Sequence, residues 1–330
     1  MIKTKNILLT FFLFVNSFSF AQNISENFSE GMKEFNSANY LKSVEIFSDI
    51  LKNEDLNDEL FASTNYYLAE SYFNLKNFQE AAARHEFIVN NLKLNNLREK
   101  SLFRLGNIYF DANEIDKSRE RFLTLLSDYP QSDYVGSAYY LIGEIFTRQN
   151  KLDEAIIFFE NVVQTRKNIR FIDYAIYTLA TIYEKLGDYT SAVGYYDQLL
   201  SFHKESELAP FAQIRIGISY FKLQEYDSTI LELSNPKITN LPLEKRAEAL
   251  FLLGNSHYRV SEFQNAIKIY QDLLSRYPLS IYERKARYSV AWSYFQLKKF
   301  NDAFNHFHSL SSGEDSIAVK SAFWKAEAKR

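Results

Sequence analysis

A small residue recurs along this chain at Gly31, Ala69, Gly106, Gly143, Ala180, Gly217, Gly254 and Ala291, at intervals of 38 and then 37 six times over. Three positions after each stand Glu34, Tyr72, Tyr109, Phe146, Tyr183, Tyr220, His257 and Tyr294. Nine further on come the mostly small Ser43, Ala81, Ser118, Ala155, Ala192, Thr229, Ala266 and Ala303. A third register is aromatic or aliphatic throughout: Tyr40, Phe78, Ile115, Leu152, Tyr189, Tyr226, Phe263 and Phe300. Eight units that agree at several positions bury their apolar faces by stacking on one another, as in a repeat solenoid. Nine glycines and five prolines in 330 residues are too few for a many-turned β protein or for glycine-loop nucleotide folds, so the units are expected to be helical.

Each unit reads as a pair of helices. Between Ser137 and Thr147 the apolar Ala138, Tyr139, Ile142 and Phe146 recur at helical spacing. Gln149, Asn150 and Lys151 break the pattern, and Ala155, Phe158, Phe159 and Val162 resume it, which predicts an αα-hairpin. The small residue in the middle of each first helix is expected to let the second helix cross closely with no side chain between them. Packing of this kind would justify placing glycine inside a helix, at a cost of about 1 kcal/mol. Two units end in Tyr129-Pro130-Gln131-Ser132 and Tyr277-Pro278-Leu279-Ser280, where proline stops one helix and serine is placed to cap the next.

These residues resemble the tetratricopeptide repeat family. The run Tyr140-Leu141-Ile142-Gly143-Glu144-Ile145-Phe146, followed by Ala155 and Phe159, is similar to its W-x₂-L-G-x₂-Y…A-x₃-F…P pattern, stretched by a longer link between repeats. The resemblance implies an all-α, right-handed superhelical solenoid of about eight hairpins with a 37-residue period, spanning residues 22–310. It also implies that first helices line an inner groove in which partner segments are held. A finer likeness, to exported bacterial members of the family, rests on the Tyr-Pro-x-Ser endings and on the N-terminus.

That N-terminus reads as an export signal over residues 1–21. Lys3 and Lys5 form a basic start, Ile7 to Val15 an apolar stretch broken only by Thr10, and Ser19 and Ala21 supply small residues before a cleavage site. The expected location is exported and periplasmic, with membrane contact only at the periphery or through an uncleaved signal. Two further departures stand out. In the sixth unit, near 225–243, Ser234-Asn235-Pro236 and Leu241-Pro242 interrupt the second helix, which is expected to end near Leu233 and lead into an irregular link or a hinge. Residues 311–330 read as a capping helix or as the start of a ninth repeat, with Trp324 where the family's tryptophan sits.

Chemistry is sparse by comparison. Without cysteine there is no disulfide, thiol nucleophile or thiolate metal site. His85-Glu86 opens like a zincin motif, but Val89 takes the place of the second ligand. His85 and His257 occupy positions filled elsewhere by aromatics and are read as core residues. No phosphate-cradling glycine motif is present. No metal, no cofactor and no enzymatic activity are expected, and a formal net charge of −3 offers no basic field for nucleic acid.

The candidate binding residues come from the first helices. Three before and four after the small residues lie two largely aromatic ladders, with Tyr66, Phe103, Tyr140, Tyr177, Phe251 and Tyr288 in one and Phe73, Phe110, Phe221, Tyr258 and Phe295 in the other. Thr147 and Glu184 interrupt the second ladder with a more polar centre. Such ladders suit an extended or helical protein segment. The expected function is a non-enzymatic protein–protein interaction scaffold of the bacterial cell envelope. The alternative is a glycan- or peptidoglycan-contacting structural module, in which the aromatics stack on sugars. The carboxylate clamp that some members of the family use is not expected. Lys100 and Arg104 match its last two positions, but Phe28, Met32 and Tyr67 stand where the others belong.

Overall fold

The computed structural model describes residues 24–53, 56–92, 95–165 and 171–329, and the expected leader at 1–21 lies outside them. The described residues are helical, with no strand. The chain divides into two compact units, Met1–Lys151 and Leu152–Arg330.

The first unit holds α1 (24–36), α2 (Tyr40–Ile50), α3 (Asp58–Asn74), α4 (Phe78–Asn91), α5 (Asn95–Asp111), α6 (Ile115–Asp128) and α7 (Val135–Arg148). The second holds α8 (Leu152–Gln164), α9 (Ile172–Leu186), α10 (Tyr189–Phe202), α11 (Ala209–Lys222), α12 (Tyr226–Leu233), α13 (Leu243–Arg259), α14 (Phe263–Arg276), α15 (Glu283–Gln296), α16 (Phe300–Leu310) and α17 (Ser316–Lys329). Within each unit a helix packs mainly on its sequence neighbours, and first helices also meet, as α3 does α5 and α13 does α15. Local chemistry starts several of them. Asn57 and Asp188 accept from the backbone N–H groups of Leu60 and Ser191 at 2.8 and 3.0 Å, and Pro210 opens α11.

The small residues act differently from the sequence expectation, because a side chain does intervene. Sixteen positions after each of four glycines, a large residue of the second helix lies directly over the glycine: Phe47 over Gly31, Phe122 over Gly106, Leu233 over Gly217 and Tyr270 over Gly254. A Cβ on Gly254 would come within 2.5 Å of the Tyr270 ring, and one on Gly31 within 2.6 Å of Phe47. All four overlying side chains are buried. Glycine is therefore a seat for a core side chain, and the close approach follows from that. Gly194, in α10, has nothing within 4 Å of where its Cβ would sit. Gly194→Ala is expected to stabilise the protein by about 0.5–1 kcal/mol through helix propensity alone, read as a raised Tm.

The hairpin turns share one geometry. Ala38, Lys76, Asn113, Asn150, Gly187, Gln224, Ser261 and Lys298 all have φ between 56° and 83°. At each, the N–H reaches back three residues and the next N–H five, as in Lys76 to Phe73 and Asn77 to Tyr72, both at 2.9 Å. This is the Schellman ending of a helix, and it uses up the last carbonyls of each first helix.

Two expectations need correction. The link after α12 is not irregular. It forms a 3-10 turn over Pro236–Asn240, capped by Asn235, whose side chain accepts from Lys237 N at 3.0 Å. Ile238 and Leu241 are buried against Ile214, Leu233, Ala249 and Leu253, so the segment is part of the core. The serines of the Tyr-Pro-x-Ser endings also diverge. Ser132 Oγ accepts from Tyr134 N at 3.0 Å, whereas Ser280 Oγ is buried without a partner. At the C-terminal end α17 packs on α16 and brings Trp324 to a ring-centroid distance of 4.3 Å from Trp292.

Candidate functional site

All eleven ladder residues are half-buried, neither sealed in the core nor free in solvent. In the first unit, Tyr66 meets Tyr67 and His85 edge-on, and Phe103 stacks on Tyr134 at 4.5 Å. Tyr140 hydrogen-bonds Glu144. Phe73 and Phe110 each lie under a guanidinium, Arg104 at 4.3 Å and Arg148 at 4.1 Å. Cation–π contacts of this kind hold the cations on the first-helix surface.

Arg104 is also fixed from beneath. Its Nε and Nη2 donate to Glu70 Oε1 and Oε2 at 2.8 and 2.6 Å. Glu70 is buried, and His85 Nε2 lies 3.3 Å from its Oε1, while His85 Nδ1 faces Ser101 Oγ at 3.1 Å. Arg104 is thus engaged by a carboxylate of the protein itself. Burial tends to push the Glu70 carboxyl up, but the His85 imidazole beside it, the hydrogen bonds from Arg104 and the arginine charge hold it below the ordinary carboxylate range. Burial holds the His85 imidazole below its usual value, against the pull of Glu70.

Both shifts act in the same direction on stability. A histidine held neutral in the fold gains a proton on unfolding as pH falls through about 6.5, and a carboxylate with a depressed value does so through about 4.5. Their stabilisation is therefore present at neutral pH and lost progressively in acid. Tm is expected to fall between about pH 7.5 and pH 5.5, and His85→Phe should flatten that slope. An unchanged slope in the variant would assign the acid sensitivity elsewhere.

In the second unit, α11, α13 and α15 bring three ladder residues around one open cavity of about 380 Å³. Phe221, Tyr258 and Tyr288 form much of its wall, together with Trp292 and Tyr270, and Asn255, Ser289 and Arg259 add polar groups. Tyr270 OH donates to Asn255 Oδ1 at 2.7 Å. Arg259 stands 6.0 Å from the Tyr226 ring and makes no ion pair among the described residues. The other ladder residues of this unit serve packing first. Tyr177 meets Tyr196, Phe251 stacks on Tyr282 at 5.0 Å, and Phe295 is enclosed by Trp292, Phe300 and Trp324. Glu184, where the ladder turns polar, pairs with Arg215 at 2.6 Å and accepts from Ser219 Oγ at 3.0 Å.

Sequence reasoning missed Asn255, Arg259, Tyr270, Ser289 and Trp292. A signal for Arg259 existed: the position after the second ladder carries Arg148, Lys185, Lys222 and Arg259 in four successive units. Both histidines read as core substitutes are accounted for. His85 is fully buried, whereas His257 is half-buried, with Nδ1 2.7 Å from Glu262 Oε2. Among the described residues no cluster of histidine and carboxylate side chains could hold a metal ion. None of the described helices is long and apolar enough to cross a membrane.

Three stretches match models described as tetratricopeptide repeat, at residues 103–167, 175–207 and 248–280. The chain is a tetratricopeptide repeat protein. Solved structures agree on the fold. The C-terminal part of a repeat protein of this family from Cytophaga hutchinsonii superposes with a TM-score of 0.58 at 12% identity, over 78% of this chain and 98% of that one. The apo form of RapI gives 0.51 at 14% identity, over 93% and 97%. No curated protein matched the sequence. Tetratricopeptide repeat proteins generally act as non-catalytic scaffolds that bind protein partners, and this all-helical solenoid has their fold.

Proposed function

We propose that the protein is an exported scaffold of the bacterial cell envelope that holds a segment of a partner protein against its first helices. The observation that carries this reading is the cavity between α11, α13 and α15. Three aromatics from three successive first helices converge there beside Arg259, a cation without an anionic partner in the described chain. Aromatic walls give large contact area at low side-chain entropy cost, and an unpaired guanidinium favours a carboxylate from the ligand. The lysines at the N-terminus, the apolar stretch after them and the small residues before Gln22 support export.

Photo-crosslinking in the producing cell tests the binding role. A photoreactive residue at Tyr258 should capture one identified envelope protein, and the same residue at the exposed Glu154 of α8 should not. Equal capture from both positions would count against the cavity, and capture of glycan alone would favour the stacking alternative. Export is checked separately, since the mature chain recovered from the periplasm should begin at Gln22.

A further inference from the structure

The links between repeats allow an internal comparison. Between α6 and α7, Arg98 donates to Asp128 Oδ2 at 2.7 Å and to Tyr129 OH at 3.2 Å. Ser132 Oγ in the same link donates to Glu99. The link from α10 to α11 repeats the second contact: Ser206 Oγ donates to Asp173 Oδ2 and accepts from Leu208 N at 3.2 Å. Each of these serines is satisfied by a carboxylate thirty-three positions earlier, in the preceding first helix.

The link from α14 to α15 has the same Tyr-Pro-x-Ser frame, four repeat intervals on, without either carboxylate. Ala247 stands where Glu99 does, Arg276 where Asp128 does, and Arg246 where Arg98 does. Ser280 Oγ is consequently buried with no hydrogen-bond partner. Arg246 Nε is buried without a partner too, where Arg98 Nε donates to the Val89 carbonyl at 3.1 Å. Arg276 keeps only the neighbouring-turn contact of its Nε with Asp272 Oδ1, at 2.7 Å. Two cations thus occupy positions that elsewhere form an ion pair. The polar tips have changed too, since Gln131 and Asp133 are replaced by Leu279 and Ile281, which are 98% and 84% exposed. Two cavities of about 280 Å³ each adjoin this loop, one of them lined by Leu243, Ala247, Arg276, Leu279 and Ser280. Glu244 lies on the rim of both, and Glu248, on the rim of one, is paired with Lys245 at 2.7 Å.

A buried hydroxyl and a buried guanidinium nitrogen without partners are costly, and so are aliphatic side chains held in water. All three are relieved by one kind of occupant. We propose that the 276–282 link is a docking site for an acidic, aliphatic segment of a partner protein. Its carboxylates take the roles that Glu99 and Asp128 play within the first unit, on Ser280, Arg246 and Arg276. Its apolar side chains cover Leu279 and Ile281. The site is distinct from the aromatic cavity, because Glu244 and Tyr258 lie at opposite ends of the 17-residue α13.

The test uses the full chain and a capped hexapeptide alternating aspartate with leucine, beside its asparagine counterpart. Methyl resonances of Leu279 and Ile281 should shift saturably with the aspartate peptide, and the asparagine peptide should bind about tenfold more weakly. Ala247→Glu restores the internal partner of Ser280, so it should raise Tm and weaken the aspartate peptide about tenfold. Should that variant not fold, the double variant Ser280→Ala/Arg276→Gln should lose the same tenfold. Equal affinity for the two peptides, absence of a saturable shift at these methyls, or undiminished binding by the variants would each overturn the proposal.

Discussion

Phe122→Ala is expected to cost about 3–5 kcal/mol in the first unit, the largest loss from any single substitution considered for this protein. Phe122 is fully buried, lies over Gly106 and meets Phe103 at a centroid distance of 6.0 Å. Its removal opens a cavity at the junction of α5 and α6. Gly106→Ala alone should also destabilise, by about 1–3 kcal/mol for the overlap with the ring, less the propensity gain of about 1 kcal/mol. In the double variant the new methyl group enters the space the ring has left. The two costs should therefore fall short of their sum by at least about 0.5 kcal/mol in a urea-melt double-mutant cycle. Strict additivity would show that the ring and the glycine do not share one space.

Arg104→Met should be nearly as damaging, for an electrostatic reason. Glu70 is buried and loses its bidentate partner, keeping only His85 at 3.3 Å. Breaking a buried pair from one side costs about 3–5 kcal/mol, and the partial exposure of Arg104 places this pair toward the lower end. Converting both, as Glu70→Leu/Arg104→Met, removes the stranded charge and should recover most of the loss. The readout is the urea midpoint, and a double variant no more stable than Arg104→Met would show that the pair itself, and not the stranded carboxylate, carries the stability.

The hairpins and the end of α12 at Leu233 were legible because periodicity and proline act locally. The residue that overlies each of the four glycines, sixteen positions on, was equally periodic, but its role depends on which way two helices cross, and spacing within one helix does not show that. The turns were hidden for another reason. Gly187 and, less strongly, Asn113 and Asn150 advertise a left-handed residue, while Lys76, Gln224 and Lys298 adopt it through the Schellman hydrogen bonds. At the candidate site the aromatic ladders were readable, yet half-burial is common to all eleven residues. What separates Tyr258 from Phe295 is whether neighbours such as Trp324 close over the ring, a tertiary fact. The Glu70–Arg104 pair joins residues 34 apart on two first helices, and no motif announced it. The partnerless Ser280 became visible only beside Ser132 and Ser206.

The glycine seat and the side chain that fills it belong to the same hairpin, α5 with α6 or α13 with α14. A copying event that duplicates one hairpin therefore duplicates both halves of the fit. Phe over glycine, Leu over glycine and Tyr over glycine can drift apart in shape without any hairpin having to match a distant one. Lengthening or shortening such an array by whole hairpins is in this respect a neutral change. Exchange of a single helix between hairpins would separate a filling side chain from its own seat, and only those recombinants should be lost.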